Sequence, residues 1–154
     1  MDQQRSERAE AIVGKFSNLL KPDNSLAPGE QQRLAYERFP LMVGSSFMSL
    51  WSPGESIATK GTRVLIGVAS YSIQDLKLLD ALDLKLSIET DKREAIQLFD
   101  ILKCTDMDDF EQYIPGLGKV SQTPVLGVWE DGNLQYKAAG WSATEWLTNR
   151  YDLV

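Results

Sequence analysis

Ser121-Gln122-Thr123-Pro124-Val125-Leu126-Gly127-Val128-Trp129-Glu130-Asp131-Gly132-Asn133-Leu134 is the stretch on which the reading of the whole chain turns. It reads as a strand entered through Thr123-Pro124, a tight turn at Asp131-Gly132-Asn133, and a second strand beginning at Leu134. Working outward, Gly140 follows the second strand and precedes a helical pattern with Ala143, Trp146 and Leu147 on its inner side. On the other flank, Pro115-Gly116 breaks a helix that runs through Phe110 and Tyr113, with Thr105 or Asp106 as its cap.

Further back, Arg63-Val64-Leu65-Ile66-Gly67-Val68-Ala69-Ser70 is a continuous apolar run, the mark of a strand buried on both faces as in a parallel sheet. Ser72 caps the helix after it, with Asp75 in the place of a capping-box partner and Leu76, Leu79 and Leu82 on the inner face. Residues 84–95 read as the end of that helix and a loop. Residues 96–102 read as the next parallel strand; a helix from Lys92 to Leu102 also satisfies the periodicity, and the order of elements favours the strand. That order is strand, helix, strand, helix, strand, strand, helix.

The first 60 residues are helical in pattern. Ala9, Ile12, Val13, Phe16, Leu19 and Leu20 recur at the spacing of one helix face over residues 6–20, stopped by Pro22 and Asp23-Asn24. An apolar stripe of this kind must find a surface, so this helix is expected to pack onto the domain. A second helix starts at Pro28 and runs to about Arg38, where Pro40 resets the chain. Residues 39–51 are strongly apolar and fit helix or strand; they read as core, with a partner surface as the alternative. Ser52-Pro53-Gly54 closes them with a turn.

Composition bounds the chemistry. A chain of 154 residues with 43% apolar side chains builds one compact domain, with or without an extension. No apolar run approaches the ~20 residues that span a bilayer, and the polar first eight residues lack a signal-peptide core, so the expectation is a cytoplasmic protein with no membrane partner. A net charge of −6 disfavours nucleic acid. The lone Cys104 excludes an intramolecular disulfide, and the absence of histidine removes the usual general base and transition-metal ligand. No cofactor is indicated. Asp106, Asp108, Asp109 and Glu111 lack the spacing of a calcium loop and read as a solvated helix start, so no metal is indicated either.

The order of elements and the residues at its corners resemble the thioredoxin-like superfamily over residues 62–153. The apolar strand ends in Ala69-Ser70-Tyr71, where that family has an aromatic before its redox pair. Asp100 lies 29 residues after Tyr71, at the end of a strand. Thr123-Pro124 before an apolar strand and an Asp-Gly turn is similar to the family's cis-proline hairpin. Gly140-Trp141-Ser142 and Glu145-Trp146-Leu147 are similar to its closing glycine and helix. Asp100-Ile101-Leu102-Lys103, an acidic helix and Thr-Pro also resemble the circadian-clock proteins that have a thioredoxin-like state.

The resemblance implies a sheet of about four strands flanked by helices over residues 61–154, with residues 1–60 as an added helical extension. It also places Ser72-Ile73-Gln74-Asp75 where the family has Cys-x-x-Cys. Serine does not supply a low-pKa thiolate, and Asp75 does not resolve a mixed disulfide. The family's buried proton-relay acid falls at Ile66 and its lysine partner near Ile96. The expectation is therefore a non-catalytic protein-interaction or assembly module, not an enzyme. Its partner groove is built from Tyr71, Ser72, Asp75, Thr123 and Pro124, where the resemblance leaves Thr123 backbone groups free for an extended peptide. The protein partner is unidentified and homo-oligomerisation stays open. The alternative is a single-cysteine redox or glutathione-linked sensor using Cys104, whose pKa a helix N-terminus and Lys103 would lower and Asp106 would raise.

Overall fold

A computed structural model of the chain describes residues 15–20, 27–88 and 94–153. The elements are a 3-10 turn at Ser17–Leu20, helix α1 (Pro28–Gly44), strand β1 (Ser49–Leu50), β2 (Thr62–Val68), α2 (Ile73–Ile88) and β3 (Ala95–Asp100). A 3-10 turn at Ile101–Lys103 follows, then α3 (Met107–Tyr113), β4 (Val125–Glu130), β5 (Asn133–Ala139) and α4 (Trp141–Tyr151). The sheet order is β1-β3-β2-β4-β5. β3 runs parallel to both β1 and β2, while β4 is antiparallel to β2 and to β5.

The architecture is α/β, a mixed sheet between helices, and it has five strands where about four were expected. The extra one is β1, two exposed residues that pair Ser49 with Gln97 and Leu50 with Leu98. So short a strand has no alternation to read. Residues 39–51, which fitted helix or strand, contain both: α1 ends at Gly44 and β1 begins at Ser49. The expected turn after them is present, with Glu55 N–H donating to the Ser52 carbonyl at 3.1 Å.

The second correction concerns Pro40, which lies inside α1 and does not end it. Proline removes one N–H from the helix and costs about 3 kcal/mol in a helix interior. Ala35, Phe39 and Val43, spaced by four, are all at most 1% exposed. Burying Phe39 and Val43 returns roughly 1.5–3 kcal/mol each, so the apolar stripe carries the helix through the proline. The third concerns the helix expected over residues 6–20. Its first part lies outside the described residues, and Ser17–Leu20 form a 3-10 turn. Phe16 and Leu19 from that stripe are buried in the main core.

Two cores flank the sheet. On one side Val64, Ile66, Val68, Ile96, Leu98, Leu126 and Val128 meet α1, α2, α4 and the Ser17–Leu20 turn. On the other, Leu65, Phe99, Val125 and Trp129 meet Trp51, Tyr113 and Ile114. Phe99 and Tyr113 stack with centroids 4.0 Å apart. Gly67 makes room for that stack, because a Cβ there would press on Phe99 and Val125. Residues before 60 thus share one core with residues after it.

Three acids on α2 tie the layers together. Asp80, 1% exposed, accepts from Phe16 N–H at 2.6 Å and Ser17 N–H at 3.0 Å. Asp83 accepts from Phe47 N–H at 2.7 Å and faces Lys15 at 3.5 Å. Asp75 serves the site described next. At the far end, Arg150 and Tyr151 of α4 both bond the Glu94 carboxylate at the entry to β3. Among the described residues no helix is long and apolar enough to cross a membrane.

Candidate functional site

The carboxyl end of β2 leads through Ala69 and Ser70 into the turn that starts α2. Ser72 caps the helix as its residue type predicts: its Oγ accepts from Asp75 N–H at 3.3 Å, and its carbonyl accepts from Leu76 N–H at 3.0 Å. Asp75 does not close a capping box. That motif would return its carboxylate to Ser72 N–H, but Ser72 N–H donates to the Ala69 carbonyl at 2.9 Å. The Asp75 carboxylate instead accepts from Ala69 N–H at 3.0 Å, and the Thr123 side chain lies against it. It is 3% exposed. Burial raises its pKa, and the Thr123 side chain and the Ala69 N–H pull against that rise.

Thr123 precedes Pro124 at the entry to β4, and the bond between them is cis. Pro124 is buried and its carbonyl accepts from Gly140 N–H at 2.8 Å. Gly140 sits at φ +70, and a Cβ there would collide with the Gln122 side chain, so glycine is needed to start α4 beside this loop. The Asp75–Thr123 contact and the Gly140–Pro124 hydrogen bond therefore meet at one corner. Among the described residues, Ser121, Gln122 and Thr123 make no backbone–backbone hydrogen bond.

A groove of about 330 Å³ runs beside this unpaired segment, lined by Tyr71, Leu102, Cys104, Phe110, Val120 and Thr123 among others. The structure brings Tyr71, Thr123 and Cys104 onto this one groove. Ser72 is half-buried and acts as the cap of α2, while Asp75 lies beneath the surface against Thr123. The sequence missed Leu102, Phe110 and Val120. Leu102 lies in the 3-10 turn after β3, Phe110 on α3 and Val120 in the loop before β4, and no local spacing links them.

Cys104 is half-buried at the end of the Ile101–Lys103 turn. Its pKa is pushed up to about 11, first by burial and then by the negative charges of Asp109, Asp100 and Asp106. The lysine beside it in sequence does not reverse this. Asp106 caps α3 by accepting from Asp109 N–H at 3.0 Å, and Asp109 in turn accepts from Thr105 N–H and hydroxyl at 2.7 and 2.9 Å. No group of acids, cysteine or histidine among the described residues is placed to hold a metal ion.

Asp100 ends β3 at 3% exposure and accepts from Leu102 N–H at 3.1 Å. Ser70 lies against the same carboxylate and draws its pKa down against the larger effect of burial, which raises it. The contact falls short of an ordinary hydrogen bond, leaving Ser70 Oγ and Asp100 Oδ2 without partners among the described residues. A separate cavity of about 250 Å³ between α1 and the ends of β1 and β3 is walled by Phe39, Trp51, Phe99 and Asp100. Trp51 Nε1 and Asp100 Oδ2 are unpartnered there but sealed from solvent, so neither is open to a molecule in that cavity.

Comparison with protein-family models, with curated proteins and with solved structures finds no match to this chain.

Proposed function

We propose that this chain is a non-catalytic, thioredoxin-like module that binds an extended protein segment along residues 121–123. The observation that carries the reading is the unpaired backbone of Ser121, Gln122 and Thr123 beside the 330 Å³ groove. Backbone donors and acceptors left unused by a fold pair with an extended peptide as with an added strand, and adjoining pockets receive its side chains. The strand order, and a helix capped by Ser72 directly after β2, support the thioredoxin-like part of the reading. Ser72 and Asp75 in place of two thiols support the non-catalytic part, as does Ile66, fully buried in the apolar core where a proton relay would sit. The single-thiol alternative gains no support from a half-buried Cys104 whose pKa is raised.

The test is peptide-display selection against the chain, followed by NMR titration with the recovered peptides. Amide shifts are expected at residues 121–123 and at Tyr71. Ser121→Pro deletes an N–H that makes no backbone hydrogen bond in the free protein. It should leave folding intact and weaken binding about tenfold, roughly one hydrogen bond's worth. Peptides that shift other regions and ignore Ser121→Pro would remove the reading.

A further inference from the structure

Tyr71 and Leu102, 44% and 43% exposed, stand as a ridge with open space on both sides. One side is the groove along residues 121–123. The other is a second basin of about 570 Å³, lined by Gly29, Gln32, Arg33, Tyr36, Tyr71 and Leu102. Four of those six residues belong to α1. We infer that the peptide groove continues over the Tyr71–Leu102 ridge onto α1. The N-terminal helix then selects partners that carry a bulky apolar side chain just beyond the residues that pair with 121–123. This rests on the proposed function above and names what its partner must present.

Three observations carry the inference. The two spaces share Tyr71 and Leu102 as a common wall, and an extended chain advances only about 3.3 Å per residue, so one segment reaches both. The second basin is walled by two tyrosines and an arginine, the types that supply rigid contact area at binding hot spots. Among the described residues Arg33 is engaged only by Glu37, one turn away at 2.8 Å, in an exposed pair of the kind that binds weakly. Its guanidinium is therefore able to turn toward a ligand at little cost. The occupant's side chain would lie between the rings of Tyr36 and Tyr71 and against Leu102.

Gly29 supplies the test. A Cβ at Gly29 meets nothing within 4 Å, so a side chain there enters open space, and residues other than glycine favour a helix. Gly29→Phe is expected to fill the basin without moving the fold. A peptide that pairs with residues 121–123 would be compared by calorimetry with versions shortened from each end, on wild type, Gly29→Phe and Tyr36→Ala. The full peptide should bind wild type about tenfold tighter than the version lacking its bulky apolar residue, a hot-spot contribution. Both substitutions should erase that difference and leave the short peptide's affinity unchanged. Equal binding of full and short peptides to wild type, with Ser121→Pro still weakening both, would overturn the inference and spare the strand-pairing reading. Indifference of every peptide to Ser121→Pro would overturn both.

Discussion

Replacing Asp80 by alanine should loosen the N-terminal turn from the body of the protein. The carboxylate holds two main-chain donors, Phe16 N–H at 2.6 Å and Ser17 N–H at 3.0 Å, from a position 1% exposed. Two hydrogen bonds to a charged acceptor at about 1.5–3 kcal/mol each would set an upper bound near 6 kcal/mol. Burial works against them. It is the largest influence on Asp80 and raises its pKa, with the like charge of Asp83 adding to the rise. The net loss expected for alanine is therefore about 2–3 kcal/mol, within the range for breaking a buried network. For asparagine, which keeps one acceptor oxygen, it is about half that. In a chain of this length 1 kcal/mol moves the melting temperature by about 2–4 °C, so Asp80→Ala should melt roughly 5–10 °C lower.

Urea denaturation gives the free energy, and hydrogen exchange at the Phe16 and Ser17 amides locates it. The pH dependence supplies an independent check. Because Asp80 has a folded pKa raised above its unfolded value, the native state binds more protons between the two values. Stability should fall as pH climbs from about 4, the unfolded range, through the raised native value, and then level off. Asp75 and Asp100 are raised by burial and add the same sign. Asp109 is lowered, so its contribution is lost only at more acidic pH, as pH falls through its folded value. Asp80→Asn should flatten the slope above pH 4. If Asp80→Ala unfolds within about 0.5 kcal/mol of wild type and both amides stay protected, the ledger above is wrong.

Arg63 lies with its guanidinium carbon 4.6 Å from the ring centroids of both Trp51 and Trp129, its Nε bonded to Gln97 and its Nη2 buried without a partner. Arg63→Met should change stability by less than about 1 kcal/mol, since desolvation offsets the ring contacts. Arg63→Ala should cost about 3 kcal/mol through the cavity it leaves, and thermal melts that reverse this order would refute the balance. Cys104, with a pKa shifted from 9.0 to about 11, should react with iodoacetamide at neutral pH about 100-fold more slowly than an ordinary thiol until urea is added. Labelling of the folded protein at the free-thiol rate would contradict its placement. The chain should not accelerate insulin reduction by dithiothreitol, and turnover abolished by Cys104→Ser would restore the thiol alternative.

What was legible in the sequence was local. The apolar run at Arg63–Ser70, the Ser72 cap, the Thr105 or Asp106 cap and the Asp131-Gly132 turn each carry their signal within a few residues; the strand forms at Thr62–Val68, Asp106 is the cap of the pair, and the Ser72 cap and the turn lie where they were read. β3 was less local, since its pattern also fitted a helix and only the order of elements separated the two. β1 gave no signal, being two exposed residues paired with a strand far along the chain. The acids of α2 carry no such local signal. Asp75 reads as a capping-box partner and nothing in the sequence singles out Asp80 or Asp83, yet all three are at most 3% exposed. Their partners are main-chain N–H groups of Ala69, Phe16 and Phe47, separated by 6, 64 and 36 residues. A backbone donor has no side-chain signature, so nothing in the sequence marks an acid that will serve one.

Asp75 bears most directly on function. On the thioredoxin-like reading it occupies the second thiol position, which in a redox protein must open far enough to attack a mixed disulfide. Here that position is 3% exposed, accepts from Ala69 N–H after β2 and lies against Thr123. Its carboxylate supports the corner from below, while the unpaired backbone of residues 121–123 stays at the surface. A cysteine at 75 would give up both acceptor contacts and still lie beneath the groove, and Ser72 is committed to capping α2. On that reading Asp75 lies against the loop from below while Ser72 caps α2, and the surface above Asp75 is the one with free hydrogen-bonding capacity. A site arranged this way is suited to presenting an edge to a partner, with its own polar groups consumed in keeping that edge rigid.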